Sequence, residues 1–578
     1  TERDPQTVET GNCRGSFEDG GNHCGCLKKN ITLRPGEDAR LIFMLGEGGA
    51  QAGRAARDKY TPERFDSDFA RLAGFWDEKL GCLQIDTPNE GMNTEINIWN
   101  LYQSEINVMF SRFTSFIEVG GRTGLGYRDT AQDAMMVPHS DPEKCRARLV
   151  ELMRALTRAG YGLHLFEPRW FEPEQKQQSF KSPTVVPTPD KSQIVHGIKD
   201  ACADDALWLF PTIVKYIGES GNKAFLDEVI VYANGSEATV YDHLKNAIRF
   251  SMERLGAHDM PAGLHADWND CLRMGAKGES TFVAFQLYYA MSVIRDMAQQ
   301  RGDSEYVAYI DDVQAKLGAS LEKCWDEDRF IRGIREDGVV VGAKKDPEAS
   351  MWLNPQSWAV ISGFASKDQA EQSMESVHRI LNTPYGIKLL DPPYRAHYFD
   401  GALMHIFNPD TKENGGIFSQ SQGWAILAES LLGHGNRAFE YCMESSPAAM
   451  NDKAEIRVME PYVHGQFTES TASPYAGRSH VHWLTGTAST VMVGCVEGIC
   501  GMRPNADGLV ISPSIPSSWD GFTIEKNFRG KHLSIRVENP SHVQSGVKSL
   551  TLNGKELSGD FVPAAKLKDQ NEITVVLG

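Results

Sequence analysis

The sequence predicts a multidomain, mainly α protein: a ring of paired helices, opened by a short β element and closed by a small β-sandwich. Three observations predict it. About a dozen helical segments fill residues 90–500 without strand–helix–strand alternation, which favours a helical barrel or toroid over a parallel sheet. From Gly508 onward the pattern changes to short strands parted by turn residues. Before the helices, residues 31–45 read as strand, turn, strand.

Each element has a local reason. Ile31-Thr32-Leu33-Arg34 alternates, Pro35-Gly36 turns the chain, and Leu41 to Leu45 is an apolar run. Glycines punctuate 46–53, and 61–80 then becomes helical, with Phe65, Phe69, Leu72, Ala73 and Trp76 on one face. Further helices are expected at 142–159, 205–218, 240–255, 281–300, 305–325, 366–381, 420–433 and 484–501, many with Asp, Ser or Thr at the start and Gly at the end. The intervening stretches 163–192 and 382–416 are loops rich in Gly, Pro, Asp and aromatics. In the tail, 509–511, 522–524, 533–537, 549–552 and 573–577 are strands, and Asn553-Gly554 is a hairpin turn.

Composition narrows the function. The chain has 578 residues and a net charge of −18, which argues against nucleic acid or an anionic membrane as the main partner, since both reward a basic face. A local arginine pocket for an anionic substrate stays open. No window approaches the ~20 apolar residues of a membrane span, and no charged-then-apolar leader is visible, so a soluble, cytoplasmic protein is expected. The 11 cysteines are too sparse for a disulfide scaffold. One cluster, His23-Cys24-Gly25-Cys26 with Cys13 upstream, lacks the spacing of a zinc knuckle, so incidental thiols are expected and no metal.

Four segments carry polar groups suited to chemistry. In Ala266-Asp267-Trp268-Asn269-Asp270 an indole stands beside carboxylates, as in many sugar sites. The ring would raise the pKa of the carboxyl by desolvation, and a carboxylic acid near neutral pH is what a leaving glycosidic oxygen needs. The same stretch also reads as a helix-capping aspartate with a buried tryptophan. Residues 120–133 combine four glycines with Arg122, Arg128, Asp129 and Asp133, without the Rossmann or P-loop spacing; a loop with a structural Arg–Asp pair explains them as well. The third segment is Lys412-Glu413-Asn414-Gly415-Gly416-Ile417-Phe418-Ser419-Gln420. The fourth is Arg457 to Phe467, including Glu460 and Gln466, followed by His482-Trp483-Leu484-Thr485-Gly486-Thr487.

Taken together, the motifs at 126–133, 266–270, 352–358 (Trp-Leu-Asn-Pro-Gln-Ser-Trp), 412–418, 460–463 (Glu-Pro-Tyr-Val) and 483–488 (Trp-Leu-Thr-Gly-Thr-Ala) resemble the disaccharide phosphorylases of glycoside hydrolase family 94, in family order and over essentially the whole chain. The resemblance implies the end of an N-terminal β-sandwich (1–48), a helical linker (49–90), an (α/α)6-barrel catalytic domain (91–502) and a C-terminal β jelly roll (503–578). It implies Asp270 as general acid. Trp268, Arg122, Arg128, Asp129 and Gln466 would surround the non-reducing sugar, and Lys412 would stand on the acceptor side. Arg112, Gln420, Thr485 and Gly486 would surround phosphate, and homodimers are usual. Inorganic phosphate is then a substrate, and neither cofactor nor metal has a role.

The implied chemistry is physically consistent. Phosphate is already an anionic nucleophile, so the protein has only to hold it with cationic and N–H donors while one acid protonates the leaving oxygen. Attack from behind would invert a β-linkage and yield α-glucose 1-phosphate from a cellobiose-like substrate. Three departures bear on the details. Gln420 stands where the family has a phosphate-contacting His; it donates a hydrogen bond but carries no charge. Leu403 and Phe407 stand where cellobiose phosphorylases have an acceptor-binding Glu and Tyr. Asn408 stands near the place of the basic residue of the acidic-acceptor enzymes. Cellobionic acid, laminaribiose and chitobiose are the alternative substrates.

Two other classes compete. An inverting glycosidase would need a second carboxylate as base, for which Asp267, Asp129 and Glu460 are candidates. A carbohydrate-binding protein without activity is the third, with Gln420 as its one supporting feature.

Overall fold

The computed structural model of the chain describes residues 9–13, 27–46, 48–111, 124–168, 201–395 and 403–578. The chain divides into two compact units, residues Thr1–Trp76 and Asp77–Gly578. The motif His23-Cys24-Gly25-Cys26 lies outside the described residues.

In the first unit the expected turn at Pro35-Gly36 forms, but the flanking stretches do not become strands. Ile31, Leu33, Leu41 and Phe43 are exposed and find no partner strand among the described residues. Two extended segments without a third strand or a helix to pack on are marginal, so alternation alone does not make them a sheet. The helix Ala50–Lys59 follows, and Pro62–Leu80 begins with proline in its first turn, as the pattern at 61–80 predicts. Within this unit Arg40 donates to Asp66 (Nη1–Oδ2 2.8 Å) and lies over the Phe65 ring.

The second unit holds a closed ring of helices. The inner six are Tyr127–Asp133, Leu209–Ser220, Thr281–Arg301, Leu353–Ile361, Ser419–Leu431 and Thr487–Val493. Each touches the next and the last touches the first. Pro142–Arg154, Val240–Met252, Ser304–Leu321, Lys367–Leu381 and Gly435–Ser445 pack outside them, and Asn100–Phe110 backs the closure. Inner helices are buried nearly all round, polar residues such as Arg128, Gln356 and Gln420 included. On the ring axis Trp208, Trp358 and Trp424 meet with centroids 5.3–6.0 Å apart.

The ring closes tightly because of one glycine. A Cβ at Gly423 would stand 2.1 Å from Thr490 O, so the helices carrying the two residues touch backbone to backbone there. Gly423→Ala is expected to lower stability by about 1–3 kcal/mol or more, read as a fall in unfolding midpoint. An unchanged midpoint would mean that the two helices part without cost.

Behind the ring, two sheets form from the tail. The larger has the order Leu83–Asp86, Gly521–Phe528, Lys531–Glu538, Gln570–Leu577, Val547–Leu552, Lys555–Leu557, antiparallel except for one parallel pair, Lys531–Glu538 with Gln570–Leu577. The five expected tail strands all form, and Asn553-Gly554 turns between two of them with φ of 51° and 75°. Leu83–Asp86 lies in the stretch expected to be helical linker, yet it pairs with Gly521–Phe528 as an edge strand. Four residues 440 positions from their partner carry no local signal of that pairing.

Candidate active site

Asp270 sits in an irregular segment between the helix Val240–Met252 and the strand Glu279–Ser280, at the mouth of the ring. Trp268 anchors this segment: its ring packs edge-on against Phe418 (4.8 Å) and Trp424 (5.1 Å), which extends the axial tryptophan cluster. The anchoring corrects one expectation. Trp268 is 6% exposed, while the Asp270 side chain is 64% exposed, so the indole does not wall the carboxyl from water.

Arg128 touches Asp270 directly. It comes from the first turn of the helix Tyr127–Asp133, and its Nη1 donates to Asp270 Oδ1 (3.2 Å) and Trp268 O (2.7 Å). Its Nη2 donates to Asp267 O (2.9 Å) and pairs with Asp204 (3.1 Å); its Nε donates to Asp205 (3.5 Å). The resemblance places Arg128 against the sugar. With four hydrogen bonds and the Asp204 ion pair inside the protein, its guanidinium holds the 267–270 segment beside Asp270. Burial pushes the Asp204 carboxyl up to about 7, against the pull of Arg128.

Asp267 lies underneath. It is sealed from solvent, where it receives Arg332 Nη2 (2.7 Å), Ser280 Oγ (2.6 Å) and the Asn269 N–H (2.9 Å). Such a carboxylate is a structural anchor with no access to a substrate water. Glu460, the second candidate base, pairs with His482 Nδ1. Asp129, the third, lies in the first turn of its helix, with its carboxylate against Gly126.

The same helix reaches a second cluster. Gln132, one turn after Arg128, accepts from Gln420 Nε2 (2.6 Å). Gln420 Nε2 stands 2.8 Å from where a Cβ on Gly486 would be, so a side chain there would have to displace that amide. Thr485 turns the chain into the helix Thr487–Val493: its Oγ1 accepts from Thr487 N (3.2 Å), and its carbonyl accepts from Asn107 Nδ2 (2.6 Å). Gln466 lies on the strand Gly465–Thr468, whose first carbonyl accepts from Thr487 Oγ1 (3.4 Å). Gln420, Thr485 and Gly486 thus meet from two distant stretches, with the start of the Gln466 strand beside them. Arg112 and Arg122 lie outside the described residues.

Lys412 and Glu413 arrive on a tight loop. Asn414 staples it, accepting from Tyr394 N (2.7 Å) and donating to Tyr394 O (2.9 Å) and Phe407 O (3.0 Å). A Cβ at Gly416 would stand 2.4 Å from Lys412 N. Lys412 Nζ lies 4.9 Å over the Phe407 ring, and Asn408 is exposed; of Leu403 only the backbone is described, in the turn Leu403–Ile406. Glu413 is the residue that motif reading passed over. It is buried beside Asp270, and burial foremost, with the Asp270 charge second, pushes its carboxyl up to about 7.

Among the described residues one group has metal-ligand chemistry: His164, Cys202 and Asp205, with ligand atoms within 4.8 Å of one another. Asp205 already serves Arg128 and accepts from His164 Nδ1 (3.1 Å). Burial opposes the charge on His164, but Asp205 outweighs it and holds the imidazole well above its ordinary value. A protonated histidine beside an arginine is an ion-pair network, not a ready cation site.

Comparison with known proteins agrees with this architecture. The profile described as Glycosyl hydrolase 94 superfamily, catalytic domain, matches residues 75–501. The Glycosyl hydrolase 94 supersandwich domain matches 1–63, and the Glycosyl hydrolase family 65 C-terminal domain matches 502–554. The chain is 43% identical to an N,N'-diacetylchitobiose phosphorylase of Vibrio proteolyticus and 42% identical to that of Vibrio furnissii, in each case over all of this chain and 72% of the relative. It is 28% identical to a solabiose phosphorylase of Paenibacillus borealis, over 97% of this chain and 69% of that one. Among solved structures, a GH78 family rhamnosidase of Bacillus sp. GL1 superposes with a TM-score of 0.51 at 13% identity, over 80% of this chain and 43% of that chain, a likeness of fold.

Proposed function

The chain belongs to the glycosyl hydrolase 94 superfamily and to its disaccharide phosphorylases, and from that premise we propose that it catalyses reversible, inverting phosphorolysis of N,N'-diacetylchitobiose. The products are N-acetyl-α-glucosamine 1-phosphate and N-acetylglucosamine. Asp270 gives its proton to the bridging oxygen as that oxygen leaves C1. A phosphate oxygen forms the new bond to C1 from the opposite face, which turns the β-linkage into an α-ester.

One observation carries the reaction class: in the 266–270 segment Asp270 is open to solvent, while Asp267 is locked under it by Arg332 and Ser280. An acid without a free carboxylate partner suits a nucleophile that brings its own charge. Gln420, Thr485 and Gly486 support the phosphate side through an amide, a hydroxyl and a backbone turn. Lys412 is proposed for the acceptor, and Trp268, Arg128, Asp129, Gln466 and Arg122 for the non-reducing sugar, with Arg112 for phosphate. Leu403 and Phe407 in place of an acceptor-binding Glu and Tyr favour the acetamido sugar over the cellobiose-like substrate that the sequence first suggests.

The test is a disaccharide panel (N,N'-diacetylchitobiose, cellobiose, cellobionic acid, laminaribiose) with and without phosphate, followed by phosphorus NMR. The α-1-phosphate is expected from N,N'-diacetylchitobiose and only when phosphate is present. Cleavage at the same rate without phosphate would make the enzyme a hydrolase. Ester formation from cellobiose alone would overturn the substrate and leave the reaction standing.

A further inference from the structure

The Asp270 segment has no regular secondary structure, so its position depends on side chains from elsewhere. Arg128 and Arg332 hold it from one side, up to Asn269. Beyond that point the grip passes to a different loop. Glu413 Oε2 accepts from Asn269 Nδ2 (3.2 Å) and from the Cys271 N–H (3.3 Å). These are the residues immediately before and after Asp270, tied to one oxygen atom. Glu413 is 7% exposed, so the clamp is shielded from competing water.

We propose that Glu413 is the positioning residue of Asp270: it fixes the acid through residues 269 and 271. The proposal rests on the reading of Asp270 as general acid. The groups that face Glu413 are Asp270 and Cys271 from the opposite segment and Lys412 from its own loop. Asp270 disfavours charge on Glu413, whereas Lys412, Asn269 and the Cys271 N–H favour it.

Two variants separate the roles. Glu413→Gln keeps the acceptor oxygen and the reach but removes the charge. Glu413→Asp keeps the charge and shortens the reach by one methylene. The measurement is kcat and KM for phosphorolysis, alongside the melting temperature. Glu413→Asp is expected to lose about tenfold or more in kcat with little change in KM, and Glu413→Gln, which keeps both hydrogen bonds, to hold kcat near the wild type. A folded Glu413→Asp protein with full kcat overturns the inference. Should that variant not fold, a folded Glu413→Gln protein that loses as much kcat as Asp270→Asn overturns it as well. Asp270→Asn runs in parallel: if it stays active, the underlying acid assignment falls, whereas an inactive Asp270→Asn with a fully active Glu413→Asp sinks this inference alone.

Discussion

Asp270→Asn is expected to lower kcat for phosphorolysis of the disaccharide by about 10²–10⁴-fold while KM changes little. The amide occupies the same volume and its oxygen still accepts from Arg128 Nη1, so the segment keeps its place. What disappears is the proton. A sugar whose leaving group departs as an anion, such as a 2,4-dinitrophenyl β-glycoside of the same sugar, does not need that proton and should lose far less. Equal losses on both substrates would show that the residue orients the segment and does not act as the acid. This comparison distinguishes chemistry from geometry, which a single activity value cannot do.

Lys526→Met is expected to lower the stability of the ring and its sheet by about 3–5 kcal/mol near neutral pH. Lys526 occupies an inward position of the strand Gly521–Phe528, where the pattern calls for an apolar residue, and it is buried. It pairs with Glu219 (2.9 Å) at the end of the helix Leu209–Ser220 and donates to His139 Nδ1 (2.7 Å). Methionine fills the space but leaves the buried Glu219 charge with His139 alone (3.0 Å) in place of the lysine. The double variant Lys526→Met/Glu219→Leu should recover most of the loss, since an apolar pair of similar volume replaces an ion pair at little cost. The pH sense follows from Glu219. Burial would raise its carboxyl, but His139 and Lys526 outweigh burial and hold it down at about 2. A depressed carboxyl contributes stability above its ordinary value of 4.5 and loses it as pH falls toward 2. The wild type should therefore weaken across that window and the double variant should not. Chemical unfolding at several pH values checks both statements, and coincident curves would contradict them.

The parts of the protein legible in sequence are those whose signals are local. The helices have the 3.6-residue stripe and capped ends, and each closes its own hydrogen bonds. The tail strands alternate, and Asn553-Gly554 turns only one way. The Asp270 motif could be singled out because an indole beside carboxylates is a local signal, whereas Thr485, Gly486 and Gln420 are named through the family resemblance. The stretch 31–45 falls within the match to the supersandwich domain, yet it forms no ladder among the described residues, because a strand also needs a neighbour. Leu83–Asp86 escaped because its neighbour is Gly521–Phe528.

The sequence by itself determined that helices fill the middle of the chain and that strands close it, and its motifs resemble a family in which position 270 would hold the acid. Only the tertiary structure decided that Trp268 anchors its segment without shielding the acid, that Arg128 turns inward to position it, and that Glu413, far along the chain, grips its two neighbours. The physical reason is range: propensity, capping and turn geometry act over a few residues. Burial and charge act over a few ångströms of space, whichever residues the fold has brought there.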